Sequence, residues 1–211
     1  MQADQIDSMN RTLKNNAEHV SLEDDGWARK RAKVALEFIK GSNLRVLNAG
    51  CGPGFDSEEF KKAGHYVVGV DFDKKLVDFA TKNGFQQEGK IADLNKEIPF
   101  KDNEFDVIFC SEVVEHLPII HVLLKECNRV LKKGGILLLT TDNPAYIKNR
   151  IRLLFGNADF LAHQPHVHLY TPSKMQELLE ENDFDVLKKK TIGNFVFASW
   201  GDVYLIVAKK K

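Results

Sequence analysis

The stretch Arg45–Gly54, RVLNAGCGPG, places Gly50, Gly52 and Gly54 within five positions, directly after a short apolar run. Glycines there keep side chains away from whatever approaches the main chain, and they tolerate the backbone angles of a sharp turn. A buried strand that hands over to a helix through such a loop is where open α/β sheets receive nucleotide-like ligands. The dinucleotide form of the loop needs G-x-G-x-x-G, but position 55, where its third glycine falls, is Phe55. The spacing is G-x-G-x-G, which disfavours a nicotinamide-dependent oxidoreductase.

Outward from this loop, short β-rich runs (RVLNAG, YVVGVD, FDVIFCSE and GILLLTTDN) alternate with segments of helical periodicity over 55–63, 74–82 and 118–131. A weaker strand precedes Asp93, and two more are expected over 184–191 and 203–208, after a helix with Ser and Thr entry signals in TPSKMQELLEEN. Continuous apolar strands between amphipathic helices imply a doubly wound sheet covered on both faces. The N-terminal side divides into a polar arm over about residues 1–20 and a helix in DDGWARKRAKVALEFIK, stopped by Gly41. The expected organisation is an arm and helix over 1–40 and one main domain over 41–211.

From Pro144 to Thr171 the alternation fails, and an insertion of that length after a sheet strand is more often functional than idle. Ile147, Ile151, Leu154 and Phe155 fall at helical spacing, which suggests an amphipathic lid able to cover a pocket or touch a lipid-tailed ligand.

Composition narrows the partners. Lys plus Arg is 30 and Asp plus Glu is 30, so no global positive charge favours nucleic acid. The three cysteines, Cys51, Cys110 and Cys127, form no close pair, so neither a disulfide framework nor a cysteine zinc site is expected. The N-terminus lacks an apolar signal core and no stretch is as long as a membrane span, which leads to an expected cytoplasmic location.

Asp71 ends the second strand, twenty-one positions after Gly50, where an acid can accept both hydroxyls of a ribose. Together, VLNAGCGPG, VVGVDFD, IADLNKEIPFKDNEFDVIFCSEVVEHL and VLKKGGILLLTTDNP resemble the class I S-adenosylmethionine-dependent methyltransferases, over roughly residues 40–210. The resemblance implies a Rossmann-like, mostly parallel seven-stranded sheet with a C-terminal antiparallel strand and an inserted lid after the fifth strand. It also implies S-adenosyl-L-methionine as cofactor. By the resemblance, Gly50, Cys51, Gly52 and Gly54 present backbone to the cofactor's amino-acid part, Asp71 holds the ribose and Phe72 flanks the adenine. Asp93 and Leu94 meet the adenine edge, and Ser111 closes the pocket. The family usually has an acid where this chain has Asn48, whose amide accepts a hydrogen bond without contributing charge.

Methyl transfer from a sulfonium needs alignment more than a catalytic triad, and no triad is visible. Glu112, Glu115 and His116 in SEVVEHL lie just past the fourth strand, and the set can act as a base or hold a divalent cation such as magnesium. That stretch is similar to the O-methyltransferases of ubiquinone biosynthesis, where such positions have been associated with a metal. His163, His166 and His168 in the insertion are candidates for acceptor contact, with His166 and His168 favoured, or else for structural roles on the lid. The expected function is methylation of a small-molecule hydroxyl, on a quinone-like, lipid-linked or sugar acceptor. The alternative is a non-catalytic cofactor-binding or regulatory protein, for which Asn48 is the hint.

Overall fold

A computed structural model describes residues 22–24, 26–144, 146–156, 167–193 and 202–211. Its centre is a seven-stranded sheet of β1 (Arg45–Ala49), β2 (Tyr66–Asp71), β3 (Glu88–Ile91), β4 (Phe105–Ser111), β5 (Leu131–Asp142), β6 (Phe184–Ile192) and β7 (Val203–Lys210). The strand order is β3-β2-β1-β4-β5-β7-β6. β1 to β5 pair in parallel, while β7 lies antiparallel between β5 and β6. The expected mostly parallel sheet with an antiparallel C-terminal strand is therefore present.

Alternation along the strands produces two cores. On one face Leu47, Val68, Val70, Ile108 and Leu137 pack with Leu123, Leu124 and Cys127 of α4 (Ile120–Val130), together with Met175 and Leu179 of α6 (Pro172–Glu180). On the other, Val46, Val107, Phe109, Leu138 and Leu205 pack with Phe60 of α2 (Phe55–Lys62) and with Ala32 and Ala35 of α1 (Trp27–Leu36). The N-terminal helix thus belongs to the main core. Arg29 fastens it to α2 through Glu58 and Glu59 while also pairing with Asp24 just before α1, and its guanidinium lies 5.5 Å from the Phe55 ring centre.

Local chemistry sets the element ends. Asp73 caps α3 (Lys74–Lys82) by accepting the Lys75 N–H at 2.7 Å, and Thr171 caps α6 by accepting from Lys174 at 3.2 Å. The KKGG turn does not pair with β4: Phe105 lies opposite Leu131 and Val107 opposite Ile136, so residues 132–135 loop out. Among the described residues no helix is long and apolar enough to cross a membrane.

The insertion does contain a helix, α5 (Ile147–Leu154), but its apolar side is not buried. Ile151 and Leu153 are about half exposed, and Leu154 and Phe155 are 84% and 85% exposed. Among the described residues, Ile151, Leu154 and Phe155 of the expected stripe belong to neither core. His163, His166 and the polar arm over residues 1–20 lie outside the described residues.

This difference in packing is measurable. Phe60, fully buried and 5.0 Å from the Phe109 ring centre, is expected to cost about 3–5 kcal/mol on Phe60→Ala. Leu154→Ser is expected to stay within about 0.5 kcal/mol. Urea midpoints of the two variants check both values.

Candidate active site

The strand order reverses between β1 and β4, so the crevice at their carboxyl ends is the natural ligand position. Its floor is the glycine loop. The Gly50 and Cys51 N–H groups both donate to the Val70 carbonyl, at 2.8 and 2.9 Å. Gly52 donates to Asp71 Oδ2 at 3.0 Å, and Gly54, which caps α2, donates to the Cys51 carbonyl at 2.9 Å. Pro53 has no N–H. Every backbone donor of the loop is therefore spent internally, and the Cys51 and Gly54 carbonyls in turn accept from the Gly54 and Glu58 N–H groups. A loop built for phosphate does the opposite.

Two glycines have separate physical reasons. A side chain at Gly50 would stand 2.3 Å from Val113, in the turn after β4. At Gly52 nothing among the described residues lies within 4 Å of the missing Cβ, and the residue has a left-handed φ of 49°. Gly50 is thus a packing glycine, whereas Gly52 opens onto free space.

Asp71 ends β2 and is 7% exposed, and its other oxygen accepts the Asp73 N–H at 3.0 Å. Burial raises its carboxyl above the usual range. Phe72 beside it is 40% exposed, an apolar wall at the crevice edge. Leu94 is buried in the core. Asp93 closes its own turn by accepting from the Asn95 N–H and side-chain amide, both at 3.0 Å.

The other wall is an ordered polar chain. Arg31 of α1 donates Nε–H to Ser111 Oγ at 2.9 Å, Ser111 lies 2.8 Å from Thr140 Oγ1, and Thr140 donates to Glu112 Oε1 at 3.0 Å. With the Thr140 proton committed to Glu112, Ser111 must donate to Thr140, so all three bonds run from guanidinium to carboxylate. Glu112 has a left-handed φ of 55°, unusual for a residue with a side chain, which turns it back towards β5. Glu115 is 1% exposed: its Oε2 accepts from Thr141 Oγ1 at 2.9 Å, and its Oε1 has no partner among the described residues. Burial raises both carboxyls, Glu112 against the pull of Arg31 and Glu115 further because of the Glu112 charge. Burial and Asp202 raise the Asp142 carboxyl, against the pull of Arg31 and His116.

Glu112 and Glu115 thus bind separate threonines instead of converging. Among the described residues, no group of three or more His, Cys, Asp and Glu side chains is arranged to hold a metal ion. This departs from the expected cation site at Glu112, Glu115 and His116. His168 makes structural contacts, one of the two roles expected for it. Its Nε2 lies 3.2 Å from the Pro118 carbonyl and its N–H donates to the Glu115 carbonyl at 3.2 Å, so it braces the turn that carries Glu115. Arg31 went unnoticed in the sequence because it reads as one more cation on a solvated helix face. The nearest signal was the small-residue pair Ala32 and Ala35, which mark that helix as packed.

Glu112 and Glu115 bind protons more readily in the folded chain than in the unfolded one, so stability is full below the ordinary carboxylate range and declines as they ionise. The ligand-free protein is expected to lose thermal stability as pH rises from about 5 to about 8, and Glu115→Gln is expected to flatten that slope. Melting temperatures across this range check it.

A family described as methyltransferase domain matches residues 47–139. The ubiquinone biosynthesis O-methyltransferase of Coxiella burnetii is 38% identical over 116 residues, 54% of this chain and 50% of that protein. The chain therefore spans half the length of that curated relative. The protein of the same name from Pelagibacter ubique is 30% identical over 168 residues, 75% of this chain and 69% of that protein. An S-adenosylmethionine-dependent methyltransferase from Mesorhizobium loti shares the fold with a TM-score of 0.70 at 18% identity, over 90% of this chain and 100% of that one. With the doubly wound sheet, the G-x-G-x-G loop after β1 and the acid at the end of β2, these matches establish that the chain belongs to the class I S-adenosylmethionine-dependent methyltransferases.

Proposed function

We propose that this protein transfers the methyl group of S-adenosyl-L-methionine to a hydroxyl of a small-molecule acceptor. The observation that carries the cofactor's placement is the glycine loop. Its N–H groups are spent, and among the described residues nothing lies within 4 Å of the missing Cβ of Gly52. That chemistry suits the cationic methionine part of the cofactor and not a pyrophosphate. The names of the Coxiella and Pelagibacter relatives support oxygen as the methylated atom.

When bound, the cofactor supplies an activated methyl group on a sulfonium. The chain's residues then have to bind, orient and exclude water. Asp71 lies at the position for the ribose hydroxyls, Phe72 for one face of the adenine, and Asp93 and Leu94 for its edge. Ser111, held between Arg31 and Thr140, closes the crevice at β4. Arg31 is the guanidinium nearest this wall and suits the cofactor's carboxylate. Glu112 and Glu115, both held with raised proton affinity, are the groups suited to take the acceptor's hydroxyl proton, with His116 beside them. The insertion over 144–171, with His166 and His168, is read as the cover of the acceptor side. Closing the exposed apolar side of α5 over the crevice would expel water and bury Leu154 and Phe155.

Asp71→Ala is expected to weaken S-adenosylmethionine binding by about 1.5–3 kcal/mol, the range for hydrogen bonds to a charged group. Calorimetry that finds equal affinity would remove Asp71 from the site. With methyl-labelled cofactor and cell extract, the intact protein is expected to label a small molecule through oxygen. Replacing Ile147–His163 by a short flexible linker should preserve cofactor binding and abolish the labelling. Undiminished labelling by the shortened protein would place the acceptor site elsewhere, and binding without any labelling by the intact protein would favour a non-catalytic role.

A further inference from the structure

The acids of the crevice differ in what can reach them. The buried Asn48 amide nitrogen donates to Asp56 Oδ1 and to Ser57 Oγ, each at 2.7 Å, and Asp56 is 5% exposed in the first turn of α2. Glu112, Asp142 and Asp202 are instead partly exposed. The carboxyl end of β5 gathers these three. The Thr140 carbonyl accepts the Glu112 N–H at 3.0 Å, and the Thr140 hydroxyl donates to Glu112 Oε1, also at 3.0 Å. Asp142 lies opposite Val203 in the antiparallel β5–β7 pairing, and the Asn143 N–H donates to the Asp202 carbonyl at 2.7 Å, which brings the other two acids together. In the sheet β5 lies beyond β4 as seen from β1 and β2, so these acids stand on the side of the crevice away from Asp71.

Positive charge is scarce there. Among the described residues Arg31 and His116 are the positive groups that act on Asp142, and the Arg31 Nε–H is given to Ser111. The sequence over 153–173 and over 191–208 contains no lysine or arginine. Donors are short as well. Glu115, 1% exposed, gives its Oε2 to the hydroxyl of Thr141, between Thr140 and Asp142, but its Oε1 has no partner among the described residues, and neither has Asp202 Oδ1. The Glu112 and Asp142 charges both act on the Glu115 carboxyl, so its orphaned oxygen belongs to the same acid set. Acids short of cations and acceptors short of donors call for one kind of group, positively charged and carrying N–H bonds. A metal ion needs converging ligands, an arrangement these carboxyls lack among the described residues. A protonated amine needs only acceptors within reach of its separate N–H bonds.

We propose that Glu112, Asp142 and Asp202 recognise a protonated amine on the methyl acceptor, so that the acceptor is an amine-bearing hydroxyl compound and not a neutral or acidic one. Asp142 and Asp202 select it by charge, while Glu112 borders both its amine and its hydroxyl. The inference rests on the methyl-transfer reading above.

The labelled product itself carries the answer. The methyl-labelled small molecule that the intact protein forms in cell extract is applied to a sulfonate cation exchanger at about pH 2, where carboxyl groups are neutral and amines stay charged. The label is expected to be retained and to elute with ammonia, and label in the flow-through would overturn the proposal. With the unmethylated form of that product as acceptor, Asp142→Asn/Asp202→Asn is expected to raise KM about tenfold to a hundredfold, as for lost hydrogen bonds to a charged group, with kcat and S-adenosylhomocysteine affinity within about twofold. An unchanged KM in the folded variant would overturn it equally. Should the variant fail to fold, retention or flow-through of the intact protein's product decides alone. An intact protein that binds S-adenosylhomocysteine yet labels nothing overturns the methyl-transfer reading, and this inference with it.

Discussion

The Val70 carbonyl accepts two N–H groups, from Gly50 and Cys51, and this double acceptance at the end of β2 governs the rest of the site. It fixes the exit of β1 to β2, draws the loop's donors inward and brings the Gly52 N–H onto Asp71. The carboxylate and the loop are thereby one unit. The space over Gly52 stays open because no side chain stands there and because a left-handed φ is free for glycine alone. From the same turn α2 starts at Phe55, which places Asp56 under the loop and against Asn48.

The charges around the crevice follow one logic. Asp56, Asp71, Glu112, Glu115 and Asp142 all have carboxyls raised by burial, and Arg31 counters that rise at Asp56, Glu112 and Asp142. Burying several carboxyls around one crevice is costly, and the charge of a cationic ligand would offset part of that cost. The hydroxyls of Ser111 and Thr140 carry the polarity of Arg31 to Glu112 without letting the two ends meet. Glu112 is thereby held in a backbone conformation that a side-chain-bearing residue adopts only under constraint.

The sheet and its loop were legible because their signals are local. Apolar runs, glycine spacing and capping residues sit within a few positions of the elements they specify, and α3 spans the very residues its periodicity indicated. The network around Asn48 was less so. The exchange of an acid for an amide at 48 could be seen, but Asp56 reads as an ordinary first-turn acid, and only the folded helix brings it to Asn48. Arg31 was hidden for the same reason, its partner Ser111 lying eighty positions away. Helical spacing identified α5 correctly, yet periodicity states only that a helix has an apolar side, not that anything covers it.

The central claim is that this loop, with its N–H donors spent internally, receives an adenosyl ligand with an amino-acid tail and not one with a pyrophosphate. Competition calorimetry of the purified protein with S-adenosylhomocysteine and NAD addresses it directly, since both ligands carry an adenosine and differ in what is attached to it. The account predicts that S-adenosylhomocysteine binds and that NAD neither binds measurably nor displaces it. Binding of NAD as tight as that of S-adenosylhomocysteine would contradict the account.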